Sequence, residues 1–204
     1  YVGGRTLAAA LAEGEWFGVR RGAAIALAVA KALDHVHGVG MLHRNVSPRS
    51  ILLGDAGIVK LRGFSFSRPQ RDTGRDTWFD VEDETAPYRA PDWVKDEVLD
   101  IRADVSSLGC VLFHLLAGRP PFVAPNPATL IERHVKDDPP DVREFRADAP
   151  EPLVNVLAKA LAKDRDQRYS APSEMVSDLE AFADGRPVEP FRRGGGFGFF
   201  LRRG

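Results

Sequence analysis

Residues 23–30 are apolar on every face that a helix would present, and they lie inside a longer helical pattern from residue 19 to residue 37. A helix that is apolar all round has to be buried by other elements. The length of the pattern favours a helix over a strand. Gly38 and Gly40 follow it and are typical of a helix end. The feature therefore predicts a domain built around an interior helix.

The rest of the chain has the patterns of a mainly α protein with one small β-hairpin. Two short β-type runs, residues 51–53 and 58–61, flank a turn-rich tetrapeptide and predict that hairpin. Asp104 is predicted to cap a helix whose apolar side chains follow the spacing i, i+3, i+4, i+7. Residues 65–84 are polar and aperiodic, which predicts a long exposed loop of the kind that compact domains keep mainly for function or disorder.

Composition excludes several classes of function. The 204 residues carry 28 Lys and Arg against 29 Asp and Glu, so no overall basic field favours nucleic-acid binding. A single cysteine, Cys110, rules out an internal disulfide and makes a reducing, cytoplasmic compartment the expected location. No apolar run reaches the 18 residues that a membrane helix needs, and no Cys, His and acidic residues stand at the spacing of a metal site.

Residues 43–65 carry the motif that decides the interpretation. They read His-Arg-Asn-Val-Ser-Pro-Arg-Ser-Ile-Leu-Leu, then the hairpin turn, then Val-Lys-Leu-Arg-Gly-Phe-Ser. This pattern resembles the catalytic loop and metal-binding segment of eukaryotic-type Ser/Thr protein kinases, whose signature is H-R-D-L-x-x-x-N followed by D-F-G. Four further segments in the family's order extend the resemblance: Ala86-Pro87-Tyr88-Arg89-Ala90-Pro91-Asp92, Asp104-Val105-Ser106-Ser107-Leu108-Gly109, Gly118-Arg119-Pro120-Pro121-Phe122 and Asp164-Arg165-Asp166-Gln167-Arg168-Tyr169.

The resemblance implies the helical large lobe of a two-lobed domain. Residues 1–185 would form this lobe, beginning at a hinge that resembles the segment from Tyr1 to Leu7. The small β-rich lobe, with its Gly-rich loop and phosphate-pairing Lys, is expected to be absent from this chain, which has no initiator Met and reads as a fragment. Residues 186–204 would form a flexible basic and aromatic tail.

Four positions depart from the family's catalytic signature. By the resemblance, Asn45 stands where the family has its base Asp, Ser47 where it has Lys, Ser50 where it has the metal-binding Asn, and Gly63 where it has the metal-binding Asp. An amide cannot accept a proton near neutral pH, and glycine offers magnesium no ligand. The sequence therefore predicts no catalytic residue, no metal and no cofactor, with ATP and magnesium implied only if the chain is active.

Other residues match positions that the family uses for scaffolding and regulation, and these are His43, Arg44, Thr85, Asp92, Asp104 and Arg168. The resemblance implies that Asp104 holds the backbone around His43 and Arg44, and that Asp92 pairs with Arg168. Thr85 is expected to be a structural hydroxyl or a phosphosite. Arg44 has two open interpretations: it contacts carboxylates of the acidic loop, residues 72–84, or that loop is simply solvated.

These features predict a pseudokinase, a non-enzyme that binds or allosterically regulates a protein partner such as another kinase or a kinase substrate, with no role for nucleic acid. The first alternative is a weakly active or atypical ATP-dependent Ser/Thr protein kinase. The second is a nucleotide-sensing module without phosphotransfer. The tail from Phe191 to Gly204 combines Arg with Phe, a composition that suits contact with a membrane surface or a linker to a further domain.

Overall fold

Helices dominate the part of the chain that the computed structural model describes, which comprises residues 3–69, 84–94 and 99–192. The mainly helical class predicted from periodicity is confirmed. Seven α-helices lie in these ranges, α1 (Leu7–Ala12), α2 (Val19–Gly38), α3 (Pro91–Val94), α4 (Ile101–Ala117), α5 (Pro127–Lys136), α6 (Glu151–Ala160) and α7 (Pro172–Ala183). The described strands are β1 (Gly4–Thr6), β2 (Met41–Leu42), β3 (Ile51–Gly54), β4 (Val59–Leu61) and β5 (Arg68–Pro69).

The core forms around α2 and α4. Almost every residue of α4 is buried, and α2 buries Ile25, Val29 and Leu33 against it and against α7. Helix α6 packs on α4 and α7 and covers another side of the core.

The helix expected from the apolar run is therefore present in the core, but the prediction that it is buried all round was wrong: Ala24 is exposed, and Leu27 and Ala28 are half-buried, because no element of the described ranges covers that side of α2. The helix that is buried on almost every side is α4.

Helix α4 begins earlier than the sequence pattern predicted. The side chain of Asp100, not that of Asp104, accepts a hydrogen bond from the backbone N–H of Arg102 at 2.8 Å and caps the helix. Asp104 lies one turn further on, only 2% exposed. The prediction of Asp104 as the cap was wrong because its carboxylate points into the protein and binds a different segment.

The strands form more than one hairpin. Strands β3 and β4 pair antiparallel as predicted, with Leu52 opposite Lys60, and β1 adds to the outer edge of β3, with Arg5 opposite Leu53. Strands β2 and β5 form a separate two-stranded sheet. The prediction of a single hairpin was incomplete, because two- and three-residue strands are too short to show an alternating pattern.

None of the helices in the described ranges is long and apolar enough to cross a membrane. This agrees with the sequence, in which no apolar run of that length occurs.

The contact between α4 and α6 depends on Gly109. A Cβ atom added there would lie 2.9 Å from Cβ of Ala160 and 3.1 Å from Cδ2 of Leu161. Because both neighbours are buried, we expect Gly109→Ala to lower the free energy of unfolding by about 1–3 kcal/mol, measured by urea denaturation. The matched control is Gly38→Ala at the end of α2, where an added Cβ meets nothing within 4 Å. Equal urea midpoints for the two variants would contradict the close approach.

Candidate functional site

The segment between β2 and β3, residues 43–50, is the candidate site, and the carboxylate of Asp104 fixes its start. Asp104 Oδ2 accepts a hydrogen bond from the backbone N–H of His43 at 2.8 Å, and Oδ1 accepts one from that of Arg44 at 2.7 Å. His37 Nε2, on α2, lies 2.8 Å from Oδ2. One buried carboxylate of α4 thus joins the end of α2 to the candidate catalytic loop.

Arg44 has a left-handed backbone with φ 68°, which is rare for a residue other than glycine. Such a conformation costs on the order of 1–3 kcal/mol and persists where the surroundings hold it. The hydrogen bond from Arg44 N–H to Asp104 is the contact that holds it. The Arg44 side chain is itself buried.

His43 is completely buried and is neutral in this site. Burial lowers the pKa of its imidazole, and the nearby Asp104 carboxylate opposes that shift. Its Nε2–H donates to the carbonyl oxygen of Arg62 at 3.0 Å, and Nδ1 lies 3.3 Å from the backbone N–H of Asn45. The ring of Phe64 meets it edge-on at 4.8 Å. His43 therefore connects the candidate loop to the segment that follows β4.

The four positions that depart from the family signature lie along these two segments. Asn45 is half-buried, and Ser47 and Ser50 are buried. The hydroxyl of Ser50 donates to the carbonyl oxygen of Ser47 at 2.9 Å and accepts from the backbone N–H of Ser47 at 3.0 Å. Both hydrogen-bonding directions of the Ser50 hydroxyl are therefore used within its own loop.

Gly63 has a left-handed backbone, with φ 86°, and faces Ser50. A Cβ atom added at Gly63 would meet only Cβ of Ser50 within 4 Å, at 3.7 Å, which is an ordinary contact. The backbone there has space for a side chain that the chain does not provide.

Magnesium is the metal that the resemblance implies for this place, and the residues do not fit it. Magnesium prefers carboxylate and other oxygen ligands in a near-octahedral arrangement. Ser50 uses its hydroxyl internally and Gly63 has no side chain. Across the described ranges, no group of three or more His, Cys, Asp or Glu residues could hold a metal ion.

A second cluster ties α3 to the loop before α7. Asp92 Oδ2 accepts from Arg168 Nη1 at 2.6 Å, and Asp92 Oδ1 lies 3.0 Å from Arg165 Nε. Asp92 and Arg168 are each 4% exposed, and Arg168 Nε also donates to the carbonyl oxygen of Ala162 at 2.7 Å. The structure thus brings together the two residues that the resemblance paired.

A cavity of about 260 Å³ beside the candidate loop was not predicted from the sequence. Its wall includes Ser47, Arg49 and Glu84, with α1 on another side. The guanidinium of Arg49 forms an ion pair with the carboxylate of Glu84. In the sequence, only the position of Arg49 between Ser47 and Ser50 could have indicated that it lies at the site. The family signature places no specific residue at that position, so the role of Arg49 was not predicted.

Tyr88 and His114 line the same cavity and form a contact that no sequence spacing indicates. The Tyr88 hydroxyl lies 2.7 Å from His114 Nδ1, and the rings stack with centroids 6.0 Å apart. Burial lowers the pKa of His114 to about 4, so the imidazole is neutral and accepts the hydrogen bond from Tyr88.

Thr85 lies buried at the start of the described segment 84–94. The acidic residues proposed to meet Arg44 lie in 72–84, and all of them except Glu84 fall outside the described residues. Glu84 contacts Arg49.

Comparison with known proteins identifies the family of this arrangement. Residues 1–178 match the protein kinase domain. The chain is 35% identical over 189 residues to a probable serine/threonine-protein kinase of Streptomyces coelicolor, covering 92% of this chain and 28% of that protein. It is 36% identical over 187 residues to serine/threonine-protein kinase PknB of Mycolicibacterium smegmatis, covering 91% and 30%. A probable PknB of Bifidobacterium longum is 32% identical over 186 residues, covering 91% and 27%.

These relatives correct the expectation that the chain is not an enzyme. Proteins named serine/threonine-protein kinases match it over most of its length at 32–36% identity, which points to an enzyme. The expectation was wrong because it rested on Asn45, Ser47, Ser50 and Gly63 alone. The chain spans less than a third of the length of each of these relatives.

Removing the negative partner of Arg168 should destabilise the protein. We expect Asp92→Asn to lower the free energy of unfolding by about 3–5 kcal/mol, because it leaves a buried guanidinium without its counter-ion. Urea denaturation measures this. The control is Glu180→Gln, which breaks the exposed Lys31–Glu180 pair, whose side chains are 54% and 43% exposed, and should cost less than about 1 kcal/mol. Losses of the same size would show that the buried pair contributes no more than the surface pair.

The neutral His114 should make stability depend on pH. Between the ordinary histidine pKa of about 6.5 and its folded value of about 4, the unfolded chain binds a proton at this residue that the folded chain does not. The free energy of unfolding should therefore fall as the pH drops from about 6.5 to about 4.

Urea denaturation at several pH values tests this effect of His114. His114→Gln keeps an acceptor for Tyr88 but does not titrate, so it should reduce the slope of the free energy of unfolding against pH. Part of the slope should remain, because burial also lowers the pKa of His134 to about 4. His35→Gln, at an exposed histidine of α2, is the control and should leave the slope unchanged. An unaltered slope in His114→Gln would rule out the buried neutral imidazole.

Proposed function

Because this chain belongs to the protein kinase family, we propose that it forms the large lobe of an atypical, slow, ATP-dependent serine/threonine protein kinase. The observation that carries this proposal is the identity of 32–36%, over most of the chain, with proteins named serine/threonine-protein kinases. In this proposal residues 1–185 form the lobe and residues 186–204 form a tail. The partner is a protein substrate that presents a serine or threonine.

The proposed reaction moves the γ-phosphoryl group of ATP to a serine or threonine hydroxyl. The bond from the γ-phosphorus to the oxygen shared with the β-phosphate breaks, a bond from phosphorus to the hydroxyl oxygen forms, and the hydroxyl proton is released to water. The transition state of such transfers is loose in most analyses, so positioning and charge neutralisation contribute more than proton removal. A chain without a carboxylate at position 45 is therefore compatible with transfer at a reduced rate.

Asn45 accounts for the slow rate in this proposal. Its amide can hydrogen-bond a substrate hydroxyl, but it has no basic site near neutral pH. General-base catalysis typically contributes about 10²–10⁴-fold. Asp104 and His43 hold the backbone at Arg44 and Asn45. In this proposal the slow rate therefore comes from the missing base and not from a displaced loop.

Arg49 is the residue that we assign to charge neutralisation. Ser47 is neutral where the family has Lys, and the guanidinium of Arg49 lines the same cavity as Ser47. The Arg49 side chain is 59% exposed, so it can exchange Glu84 for an anionic phosphoryl group. Exposed ion pairs are weak, about 0–1 kcal/mol, so replacing Glu84 by a phosphoryl group costs little free energy.

Restoring the carboxylate should accelerate the enzyme. We expect Asn45→Asp to raise the rate of phosphate transfer from labelled ATP to a serine/threonine peptide library by about 10²-fold or more. The assay uses the full-length gene product, because the family's nucleotide site also needs a Gly-rich loop and a Lys. The control is Asn126→Asp at the cap of α5, where either residue caps the helix well, and the rate should not change.

The same assay tests Arg49. Arg49→Gln should lower the rate several-fold, whereas Arg20→Gln, an exposed arginine of α2 that does not line this cavity, should not. If neither the unmodified protein nor the Asn45→Asp variant transfers phosphate while both bind ATP, the kinase proposal is refuted and a nucleotide-sensing role replaces it. An unchanged rate in Arg49→Gln would remove only the assignment of Arg49.

A further inference from the structure

A groove between α6 and the segment 138–144 lies at the point where the described chain ends. The α6 groove is a cavity of about 730 Å³ lined by α6 and the segment 138–144. Beyond α7 the chain turns at Gly185, which has φ 71°, and buries Val188. Phe191 then lies at the groove wall, where its backbone N–H donates to Asn155 Oδ1 at 3.4 Å. The chain therefore reaches the groove at Phe191, one residue before the end of the described range.

The floor of the α6 groove is apolar. Buried side chains of Val142, Leu157 and Leu161 form it, and the half-buried Val154 and Ala158 continue it toward the surface. Cavities of 300–1,000 Å³ with apolar walls are typical of sites that enclose an apolar ligand. The α6 groove therefore has room for several apolar side chains.

The rim of the α6 groove is acidic. Four carboxylates line it against one guanidinium, that of Arg143, and they belong to Asp138, Asp141, Glu144 and Glu151. Arg143 pairs with Asp141 and Glu151. The formal charge of the lining side chains is negative, four carboxylates against one guanidinium. A segment that is apolar in part and basic at its ends would complement this surface.

The chain carries such a segment directly beyond the groove wall. Residues 197–201 read Phe-Gly-Phe-Phe-Leu, and arginines stand on both sides of them at positions 192, 193, 202 and 203. The twelve residues 193–204 can span at most about 40 Å when extended, at about 3.3–3.6 Å per residue. We infer that the α6 groove binds the chain's own C-terminal segment, residues 197–203, with its Phe and Leu side chains on the floor and its arginines at the rim.

Because the segment 197–203 belongs to the same chain as the α6 groove, its binding there is favoured over that of a separate molecule of the same composition. A segment held by a short flexible linker has an effective concentration of the order of millimolar at its site. Residues 194–196 are three glycines, a residue type that restricts the backbone least. The α6 groove shares no lining residue with the cavity beside the candidate loop, and this inference does not depend on the kinase proposal.

Disulfide trapping in the full-length gene product tests the inference. Phe199→Cys combined with Ala158→Cys, on the groove, should cross-link under mild oxidation at least fivefold faster than Phe199→Cys combined with Asp55→Cys. Asp55 is exposed in the β3–β4 hairpin and does not line the groove. The native Cys110 does not compete, because burial raises the pKa of its thiol to about 12. Equal cross-linking rates for the two pairs would overturn the inference.

Two further measurements test the contribution of the arginines and the alternative that the tail binds a membrane surface instead of the α6 groove. Arg202→Gln combined with Arg203→Gln should slow the trapping at Ala158, and the difference should shrink when added salt screens the acidic rim. Vesicles of phosphatidylcholine and phosphatidylglycerol are then added to the first pair. If trapping at Ala158 is no faster than at Asp55 and the tail binds these vesicles, the tail is a membrane-surface segment and the inference fails. Trapping that stays fast in their presence supports it.

Discussion

The carboxylate of Asp104 is the group on which the candidate site depends. It receives two backbone N–H groups from the loop after β2 and lies against His37 of α2, so two oxygen atoms of α4 join residues 37–44 to a helix about 60 positions further along the chain. A buried carboxylate is tolerated only when hydrogen bonds replace its lost hydration. Loss of either backbone donor would therefore leave part of this cost uncompensated. The left-handed backbone of Arg44 is a consequence of this arrangement, since its N–H has to turn toward α4.

The scaffold and the chemistry of the site are carried by different residues. Asp104, His43 and the Asp92–Arg168 pair hold the backbone, and none of them is among the four positions that depart from the family signature. The helices that supply these contacts pack through Leu, Val and Ala side chains, which do not depend on the loop's chemistry. This separation explains how the fold accommodates Asn45, Ser47, Ser50 and Gly63.

Sequence reasoning predicted the parts of the structure that are periodic. The apolar run in α2 and the spacing in α4 identified the two core helices, and two short β-type runs on either side of a turn identified β3 and β4. It missed what depends on tertiary contact: the cap of α4 moved to Asp100 because Asp104 was engaged elsewhere, and β1 was too short to show a period. The Tyr88–His114 and Arg49–Glu84 contacts join residues 26 and 35 positions apart, so no local pattern could reveal them.

The backbone at Gly63 determines which side chains this position could hold. Its left-handed twist is one that aspartate adopts more readily than most residues, and the space around the missing side chain is open except for an ordinary contact with Ser50. The left-handed φ nevertheless strains any side chain placed there. At this position the backbone conformation, and not a lack of room, therefore limits which residue the loop accepts.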